Sequence, residues 1–391
     1  MKHRNLAQAT VLALESVFQQ GEVASRAVER TVAEHPKWGR RDRTQFAEAV
    51  YEIVRGRRLL EFAAQSDDLW ALLGAFLARQ NEELPLWPEL ETLDGAQVWA
   101  RLEQPDLPRA IRESVPDWLD ELGETQLGAR WDEELGALNR EAGVVLRANT
   151  LVCSRDELQR ELREQNIESS PIEGVPDALQ LVGRPRLNSL NAWKRGAFEV
   201  QDGASQLVAP FLQIEPGQNV VDACAGAGGK TLHLAALMEN EGKLLALDTS
   251  QTKLDELERR ARRAGAHVVG RRADKQLLRD SRAFADRLLL DMPCSGSGTL
   301  RRQPDLKWRL RPEFLARLED TRRTILRDYS PLLRPGGKMV YATCSIFPSE
   351  NERQVAEFAR ENPAFELEEE QTISPAETGF DGFYFARLRK K

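Results

Sequence analysis

Residues 218–237 read QNVVDACAGAGGKTLHLAAL, and this stretch decides the fold. A short apolar run, a glycine-rich turn and a segment with helical apolar spacing follow one another, which predicts a strand, a tight turn and a helix. Strands that alternate with helices in this way form a mostly parallel sheet with helices on both faces, so we predict a Rossmann-like α/β domain over residues 199–391. The alternation continues through KLLALDTS (243–250), HVVGRRAD (267–274), RLLLDMP (287–293), a long helix and GGKMVYATCS (336–345).

Two regions of different character precede this domain. VVLRANTLVC (144–153) and ALQLVG (178–183) predict strands, and SRDELQRELREQ (154–165) predicts a helix that Ser154 caps. We therefore predict a small α+β module over residues 141–198. Upstream, apolar side chains at helical spacing and a proline-punctuated acidic stretch predict an all-helical domain over residues 1–140.

Charge is unevenly distributed along the chain. The net charge is −7, but residues 61–140 hold 18 acidic and 6 basic side chains, so the remainder is net basic. Paired arginines recur in the C-terminal half, which favours a surface that binds the phosphates of a nucleic acid. These pairs are Arg259-Arg260, Arg262-Arg263, Arg271-Arg272, Arg301-Arg302 and Arg322-Arg323.

Several classes of protein are disfavoured. No apolar run approaches the ~20 residues of a membrane helix, and no signal peptide is recognisable. The four cysteines contain no CxxC pair, which argues against a disulfide framework or a zinc site. We therefore expect a cytoplasmic monomer that holds no metal.

Each of the first four predicted strands ends close to a carboxylate, which belongs to Asp222, Asp248, Asp274 or Asp291. Ligands of open α/β sheets bind at the carboxyl ends of the strands, so a row of acceptors there suits ribose hydroxyls, an amine or an ammonium group. The first strand also enters a glycine-rich turn, which we call the cofactor turn. It consists of Cys224, Ala225, Gly226, Ala227, Gly228, Gly229 and Lys230.

Two phosphate-binding motifs do not match the cofactor turn. A P-loop needs GxxxxGK[ST], but Cys224 occupies the position of the first glycine. A dinucleotide fingerprint needs GxGxxG, but Thr231 stands where the third glycine should be. A nucleoside-type ligand fits better, with Asp248 at the ribose hydroxyls and Asp274 at the adenine end. We expect S-adenosylmethionine in preference to NAD or ATP.

Two cysteines follow the strands that close this crevice. Cys294 follows Pro293 just beyond the fourth strand, and Cys344 lies at the end of the fifth, so we expect both thiols to face one crevice. A thiolate that adds to C6 of cytosine makes C5 nucleophilic enough to take a methyl group, and Asp291 could hydrogen-bond or protonate N3. The residues alone do not say which cysteine attacks.

Over residues 143–391 the chain resembles the RsmB/Sun family of RNA 5-methylcytosine methyltransferases. The family's usual turn reads CAAPGGK; this chain lacks the proline but keeps the glycine pair and Lys230. The resemblance rests on RANT (147–150), QDGASQ (201–206), DACAGAGGKT (222–231), LLLDMPCSGSGT (288–299) and GGKMVYATCSIFPSENE (336–352).

The resemblance implies a class I methyltransferase domain with Cys344 as the nucleophile and Cys294 as the residue that assists release. It also implies S-adenosylmethionine as the cofactor, held by residues 224–230, Asp248, Asp274 and Asp291. Residues 141–198 resemble the family's RNA-recognition-like extension, and the N-terminus is loosely similar to a NusB-like domain, which points to 16S ribosomal RNA.

Three alternatives stay open. Transfer RNA is the alternative substrate within the same class. A non-catalytic RNA-binding assembly factor would retain the pocket without the chemistry. A small-molecule methyltransferase would leave the paired cysteines and arginines without a role.

Overall fold

The computed structural model describes residues 1, 3–80 and 83–391. This part of the chain forms two units, each with its own core: residues 1–140 together with 299–312, and residues 141–298 together with 313–391. Within the described residues, every helix is too short or too polar to cross a membrane.

The first unit is helical, as the apolar periodicity predicts. Leu14, Val50 and Ile53 are buried in its core, so the apolar faces of its first and third helices point inward. Pro108 and Pro116 directly precede two of its shorter helices, where the missing N–H of proline costs nothing. The helices of residues 1–140 are α1 (Arg4–Phe18), α2 (Ala24–Glu34), α3 (Arg40–Ala64), α4 (Leu69–Arg79), α5 (Gly95–Leu102), α6 (Arg109–Arg112), α7 (Asp117–Leu127) and α8 (Trp131–Leu138).

A small α+β module opens the second unit. Its elements are β1 (Val145–Ala148), α9 (Arg155–Glu164), β2 (Ser169–Ile172), β3 (Val175–Leu181), α10 (Asn191–Lys194) and β4 (Phe198–Val200). The strands pair antiparallel in the order β2-β3-β1-β4, which is the ferredoxin-like arrangement. Ser154 begins α9 through a capping box with Glu157, as the sequence predicts.

The larger sheet of the second unit has seven strands in the order β10-β11-β9-β8-β5-β6-β7, and β5 to β9 run parallel. This topology confirms the prediction of a mostly parallel Rossmann-like sheet. Its elements are α11 (Gly203–Phe211), β5 (Asn219–Asp222), α12 (Gly229–Leu237), β6 (Lys243–Asp248), α13 (Gln251–Ala264), β7 (Val269–Arg272), α14 (Lys275–Asp280), β8 (Ala285–Asp291), α15 (Leu306–Arg309), α16 (Pro312–Tyr329), β9 (Leu333–Thr343), α17 (Glu352–Glu361), β10 (Phe365–Ile373), α18 (Pro375–Thr378) and β11 (Phe383–Lys390), of which α15 packs with the first unit.

Two C-terminal strands extend the sheet beyond what the sequence predicts. β10 and β11 are antiparallel to their neighbours, and β10 forms the edge. The acidic run of β10 is stabilised by cross-strand pairing, because Arg387 on β11 donates to Glu368 and Glu369.

Residues 299–312 lie between β8 and β9 in the sequence but pack within the first unit. The ammonium of Lys307 on α15 is buried and donates to the carbonyl oxygens of Arg55 at 3.1 Å and Ser114 at 3.3 Å. Trp308 Nε1 donates to the carbonyl oxygen of Val54 at 2.7 Å. Burial, together with the charge of Arg55, lowers the pKa of Lys307 to about 7. The domains predicted from the sequence are consecutive segments, and they place residues 299–312 in the domain of residues 199–391, whereas these residues pack within the first unit.

Candidate active site

The site lies where the strand order reverses. β5 pairs with β6 on one side and with β8 on the other, so the carboxyl ends of these three strands are adjacent. Asp222, Asp248 and Asp291 are the last residues of these strands. This edge of an open α/β sheet is the expected position of a ligand crevice.

Asp222 has a different environment from the other carboxylates of this row. It is only 1% exposed, and its Oδ2 accepts a hydrogen bond from Thr231 Oγ1 at 2.7 Å. Burial raises its pKa to about 7. Asp222 therefore ties the end of β5 to α12 and does not line the open crevice.

Glycines shape the cofactor turn. Gly226 and Gly228 have φ angles of +55° and +89°, in the left-handed region that favours glycine. A Cβ atom at Gly228 would lie 2.8 Å from Cγ of Leu257, so a side chain there would collide with α13. A Cβ atom at Gly226 would meet no described atom within 4 Å, so the backbone of the turn borders open space.

Asp248 borders this space, and Asp274 follows the neighbouring strand β7. The backbone N–H groups of Gly226 and Ser250 donate to the carboxylate of Asp248 at 2.9 and 2.8 Å. Asp274 is exposed and caps α14, because its Oδ1 accepts from the N–H groups of Gln276 and Leu277 at 2.8 Å. The turn and Asp248 thus offer close backbone approach beside a carboxylate, a set that fits a nucleoside bearing a sulfonium.

Two arginines donate hydrogen bonds to main-chain carbonyl oxygens of the cofactor turn. The buried guanidinium of Arg147, on β1, donates to the carbonyl oxygen of Gly229 at 2.8 Å. Arg260, on α13, donates to the carbonyl oxygen of Ala227 at 2.7 Å and to Glu199 on β4 at 2.8 Å. The small α+β module therefore contacts the backbone of the cofactor turn through Arg147 and, by way of Glu199, through Arg260. The spacing of the sequence motifs does not reveal these contacts.

Several of the paired arginines bind carboxylates of the protein itself. Arg260 and Arg263 both bind Glu199, and Arg322 is buried against Glu350. Arg271 and Arg272 remain exposed on β7. For Arg260, Arg263 and Arg322, the predicted role in binding phosphate is wrong, because internal carboxylates already occupy these guanidinium groups.

Lys230 links the cofactor turn to the predicted catalytic carboxylate. Its Nζ lies 2.7 Å from Oδ2 of Asp291. Burial lowers the pKa of Lys230, but the attraction of Asp291 and the charge that Cys344 carries when ionised outweigh it, so the pKa is raised. Lys230 is therefore a stable cation within electrostatic reach of both Asp291 and Cys344.

The two predicted cysteines meet. The Sγ atoms of Cys294 and Cys344 lie 3.3 Å apart, and both side chains are half-buried. β8 and β9 bring them together, because these strands are parallel neighbours with Asp291 opposite Ala342. The expectation that both thiols face one crevice agrees with this geometry.

The contact between the two sulfur atoms affects the protonation of Cys294. The hydrogen bond with Cys344, together with burial, raises the pKa of Cys294 well above its usual value. Cys294 therefore stays protonated and is suited to donate its S–H hydrogen to the sulfur of Cys344. Cys224, in the cofactor turn, is also held as a thiol, because burial raises its pKa.

Tyr329, at the end of α16, lies within electrostatic reach of Cys224 and Asp248. No sequence motif indicated this residue. Burial, with smaller contributions from Cys224 when it is ionised and from the charge of Asp248, raises its pKa to about 12. Its hydroxyl is therefore neutral at physiological pH and available as a hydrogen-bond donor near the cofactor turn.

Known proteins share these features. A family described as "16S rRNA methyltransferase RsmB/F" matches residues 209–389, and one described as "Methyltr_RsmF/B-like, ferredoxin-like domain" matches residues 115–187. The chain is 30% identical to the "Probable ribosomal RNA small subunit methyltransferase B" of Synechocystis sp., over 98% of this chain and 99% of that protein. It is 34% identical to the "Ribosomal RNA small subunit methyltransferase B" of Yersinia enterocolitica, over 71% of this chain and 66% of that protein.

A solved structure, that of PH0851, is similar over 98% of both chains, with a TM-score of 0.82 and 26% sequence identity. The family resemblance and the cofactor expected from the sequence are both confirmed by these matches. The chain belongs to the RsmB/F family of ribosomal RNA methyltransferases, which are S-adenosylmethionine-dependent RNA cytosine-C5 methyltransferases.

Proposed function

We propose that this protein methylates C5 of a cytosine in 16S ribosomal RNA through a covalent bond between Cys344 Sγ and C6 of the base. The contact between two thiols carries the proposal, because a single attacking thiolate would need no second cysteine 3.3 Å away. Cys344 is the nucleophile and Cys294 is the release residue. Positive charge near a cysteine favours nucleophilic chemistry, and Lys230 supplies it here.

S-adenosylmethionine supplies an electrophilic methyl group on a sulfonium. The backbone of residues 224–230 would hold it together with Asp248 and Asp291; Asp248 would bind the ribose hydroxyls and Asp274 would serve the adenine end. Arg147 and Arg260 keep the backbone of the turn in place through its carbonyl oxygens. A stacked cytosine must leave its helix or loop to enter this pocket.

Catalysis begins when the thiolate of Cys344 adds to C6 of cytosine, and the electrons of the C5–C6 double bond move towards N3. Asp291, in its protonated form, donates a hydrogen bond or its proton to N3, and Lys230, 2.7 Å away, balances the carboxylate that results. C5 is then nucleophilic enough to accept the methyl group.

Release follows methyl transfer. The proton on C5 passes to a base, the C5–C6 double bond forms again, and the bond between C6 and Cys344 Sγ breaks. The S–H group of Cys294 stabilises the departing sulfur by hydrogen bonding. The high pKa of Cys294 suits this role, since the thiol must be protonated at that moment.

In this proposal residues 141–198 form the RNA-binding module, residues 199–391 the methyltransferase domain and residues 1–140 a NusB-like helical domain. The ferredoxin-like sheet supports the first of these roles by its four-stranded architecture.

Bisulfite sequencing of total RNA from a deletion strain tests the function. We expect one cytosine of 16S ribosomal RNA to lose its protection from conversion. The wild-type gene should restore it, and a Cys344→Ala gene should not. Cys153→Ala, which changes a half-buried cysteine of the small module, is the matched control and should restore protection. Loss of protection in a transfer RNA, or no loss anywhere, would overturn the assignment.

A further inference from the structure

A buried carboxylate connects the two loops that carry the cysteines. Glu350 is 1% exposed and lies between β9 and α17. Its Oε1 accepts from the backbone N–H of Ser295 at 2.9 Å, and its Oε2 accepts from Ser345 Oγ at 2.6 Å. Ser295 follows Cys294 and Ser345 follows Cys344, so one side chain contacts the residue next to each thiol.

Arg322, on α16, binds the same carboxylate. Its Nη1 lies 2.8 Å from Oε1 of Glu350 and 3.3 Å from the carbonyl oxygen of Pro293, which precedes Cys294. Both charged side chains are almost fully buried. Buried ion pairs contribute little net stability, because desolvation offsets their attraction, and apolar residues of similar volume often replace them without loss. Stability alone therefore gives weak grounds for this pair.

Further hydrogen bonds hold the loops against each other. Ser297 Oγ lies 3.0 Å from Ser345 Oγ, and the backbone N–H of Gly298 donates to the carbonyl oxygen of Cys344 at 3.0 Å. Asn351, next to Glu350, donates from Nδ2 to the carbonyl oxygen of Ser345 at 2.9 Å. The relative position of the two cysteine loops is thus fixed by these hydrogen bonds together with those of the Glu350 carboxylate.

We infer that Glu350, charge-balanced by Arg322, is a positioning residue that holds Cys294 within hydrogen-bonding distance of Cys344 for the release step. This inference rests on the proposed function. A thiol is a weak donor, so a small displacement removes its hydrogen bond to the sulfur of Cys344. Misplacement by about 1 Å can slow an enzymatic step by about 10²-fold.

Loss of the positioning by Glu350 should slow the release step and should leave cofactor binding unchanged. Cys344 can still attack and the methyl group can still be transferred, but the methylated adduct persists when Cys294 is out of position. A role limited to folding would not cause a folded protein to accumulate adduct.

Two double variants separate these effects. Glu350→Met with Arg322→Met removes both charges, so no buried charge is left unpaired; methionine matches the length of Glu350 and is shorter than Arg322. Glu350→Gln with Arg322→Met also removes both charges but keeps an oxygen that can accept from the N–H of Ser295. Folding is checked by thermal unfolding and by the dissociation constant for S-adenosylmethionine.

With 16S ribosomal RNA and S-adenosylmethionine, the Met/Met variant should keep its cofactor affinity, lose at least about tenfold in kcat, and accumulate a covalent protein–RNA band on a denaturing gel although Cys294 is present. The Gln/Met variant should recover most of the turnover and show less of the band. A folded Met/Met variant with wild-type turnover and no band would overturn the positioning role.

If the Met/Met variant does not fold, Ser345→Ala provides the test, because it keeps both buried charges and removes the 2.6 Å contact with Glu350, together with the contacts of Ser345 Oγ with Ser297 and with the N–H of Phe347. We expect a weaker band and a several-fold lower kcat, and wild-type behaviour would refute the inference. The wild type and Cys294→Ala are assayed in parallel. If the wild type does not methylate the RNA or Cys294→Ala forms no adduct, the proposed function fails and the inference fails with it. If both behave as proposed, a negative result concerns Glu350 alone.

Discussion

The Sγ atom of Cys294 lies 3.3 Å from the Sγ atom of Cys344, although fifty positions separate the two residues in the chain. Two parallel neighbouring strands, β8 and β9, end side by side and place the following loops in contact. The hydrogen bond with Cys344 raises the pKa of Cys294, so Cys294 is held as a thiol beside the second sulfur. A protonated Cys294 agrees with the role that the family resemblance implies for this residue.

Replacing Lys230 with Met should impair chemistry more than cofactor binding. Lys230 lies 2.7 Å from Asp291, and its loss leaves that carboxylate without its counter-charge where charge develops on the base. We expect single-turnover methylation to slow by about 10²-fold, with a change of less than about threefold in the dissociation constant for S-adenosylmethionine.

Lys243→Met is the control for this change, because Lys243 is exposed at the start of β6. A large loss of cofactor affinity with unchanged chemistry would show that Lys230 serves the cofactor and not Asp291.

Replacing Asp248 with Ala should weaken cofactor binding. The carboxylate accepts from Gly226 and Ser250, so it both shapes the turn and presents an acceptor to the ribose. Hydrogen bonds to charged groups contribute about 1.5–3 kcal/mol, so calorimetry should show a dissociation constant about 10- to 100-fold higher. Asp255→Ala, on the exposed face of α13, should leave it unchanged. Equal affinities for Asp248→Ala and the wild type would contradict the ribose assignment.

His233 should make the protein less stable in mild acid. Burial, with the charge of Arg147, lowers its pKa to about 4. The unfolded chain binds a proton at this residue below about pH 6.5 but the native chain does so only below about pH 4, so native stability declines as the pH falls between these values. From pH 7 to pH 5 the free energy of unfolding should fall by about 2 kcal/mol through this residue.

His233→Leu removes the titrating group and should reduce the pH dependence by that amount. Denaturant unfolding of both proteins at pH 7 and pH 5 measures the difference. Equal pH dependence in the two proteins would mean that the native histidine titrates normally.

Strand alternation and chain position were enough to predict the sheet and the meeting of the two cysteines. The prediction succeeds because parallel strands present their carboxyl ends at one edge, so residues that follow neighbouring strands become neighbours. Nothing in the chain order distinguishes the thiols; the pKa of Cys294 depends on burial and on the 3.3 Å contact, which are tertiary properties.

The two C-terminal strands, β10 and β11, were not predicted from the sequence, and for β10 the reason is its local composition. FELEEEQTI (365–373) is rich in glutamate, which has low strand propensity, and β10 is stabilised by its pairing with the arginines of β11. The burial of Lys307 is equally invisible in the sequence, because its acceptors are mostly main-chain oxygens supplied by distant parts of the chain. Likewise, Glu350 lies in a quoted motif, but only its hydrogen bonds to Ser295 and Ser345 reveal its connection to both cysteines.

Trapping of the protein–RNA adduct tests the division of roles between the cysteines most directly. Cys294→Ala, Cys344→Ala and the double variant are incubated with 16S ribosomal RNA and S-adenosylmethionine and separated on a denaturing gel. The account predicts a slow-migrating covalent band for Cys294→Ala, since attack proceeds and release fails, and no band for Cys344→Ala or the double variant. A band from Cys344→Ala and none from Cys294→Ala would contradict it and make Cys294 the nucleophile.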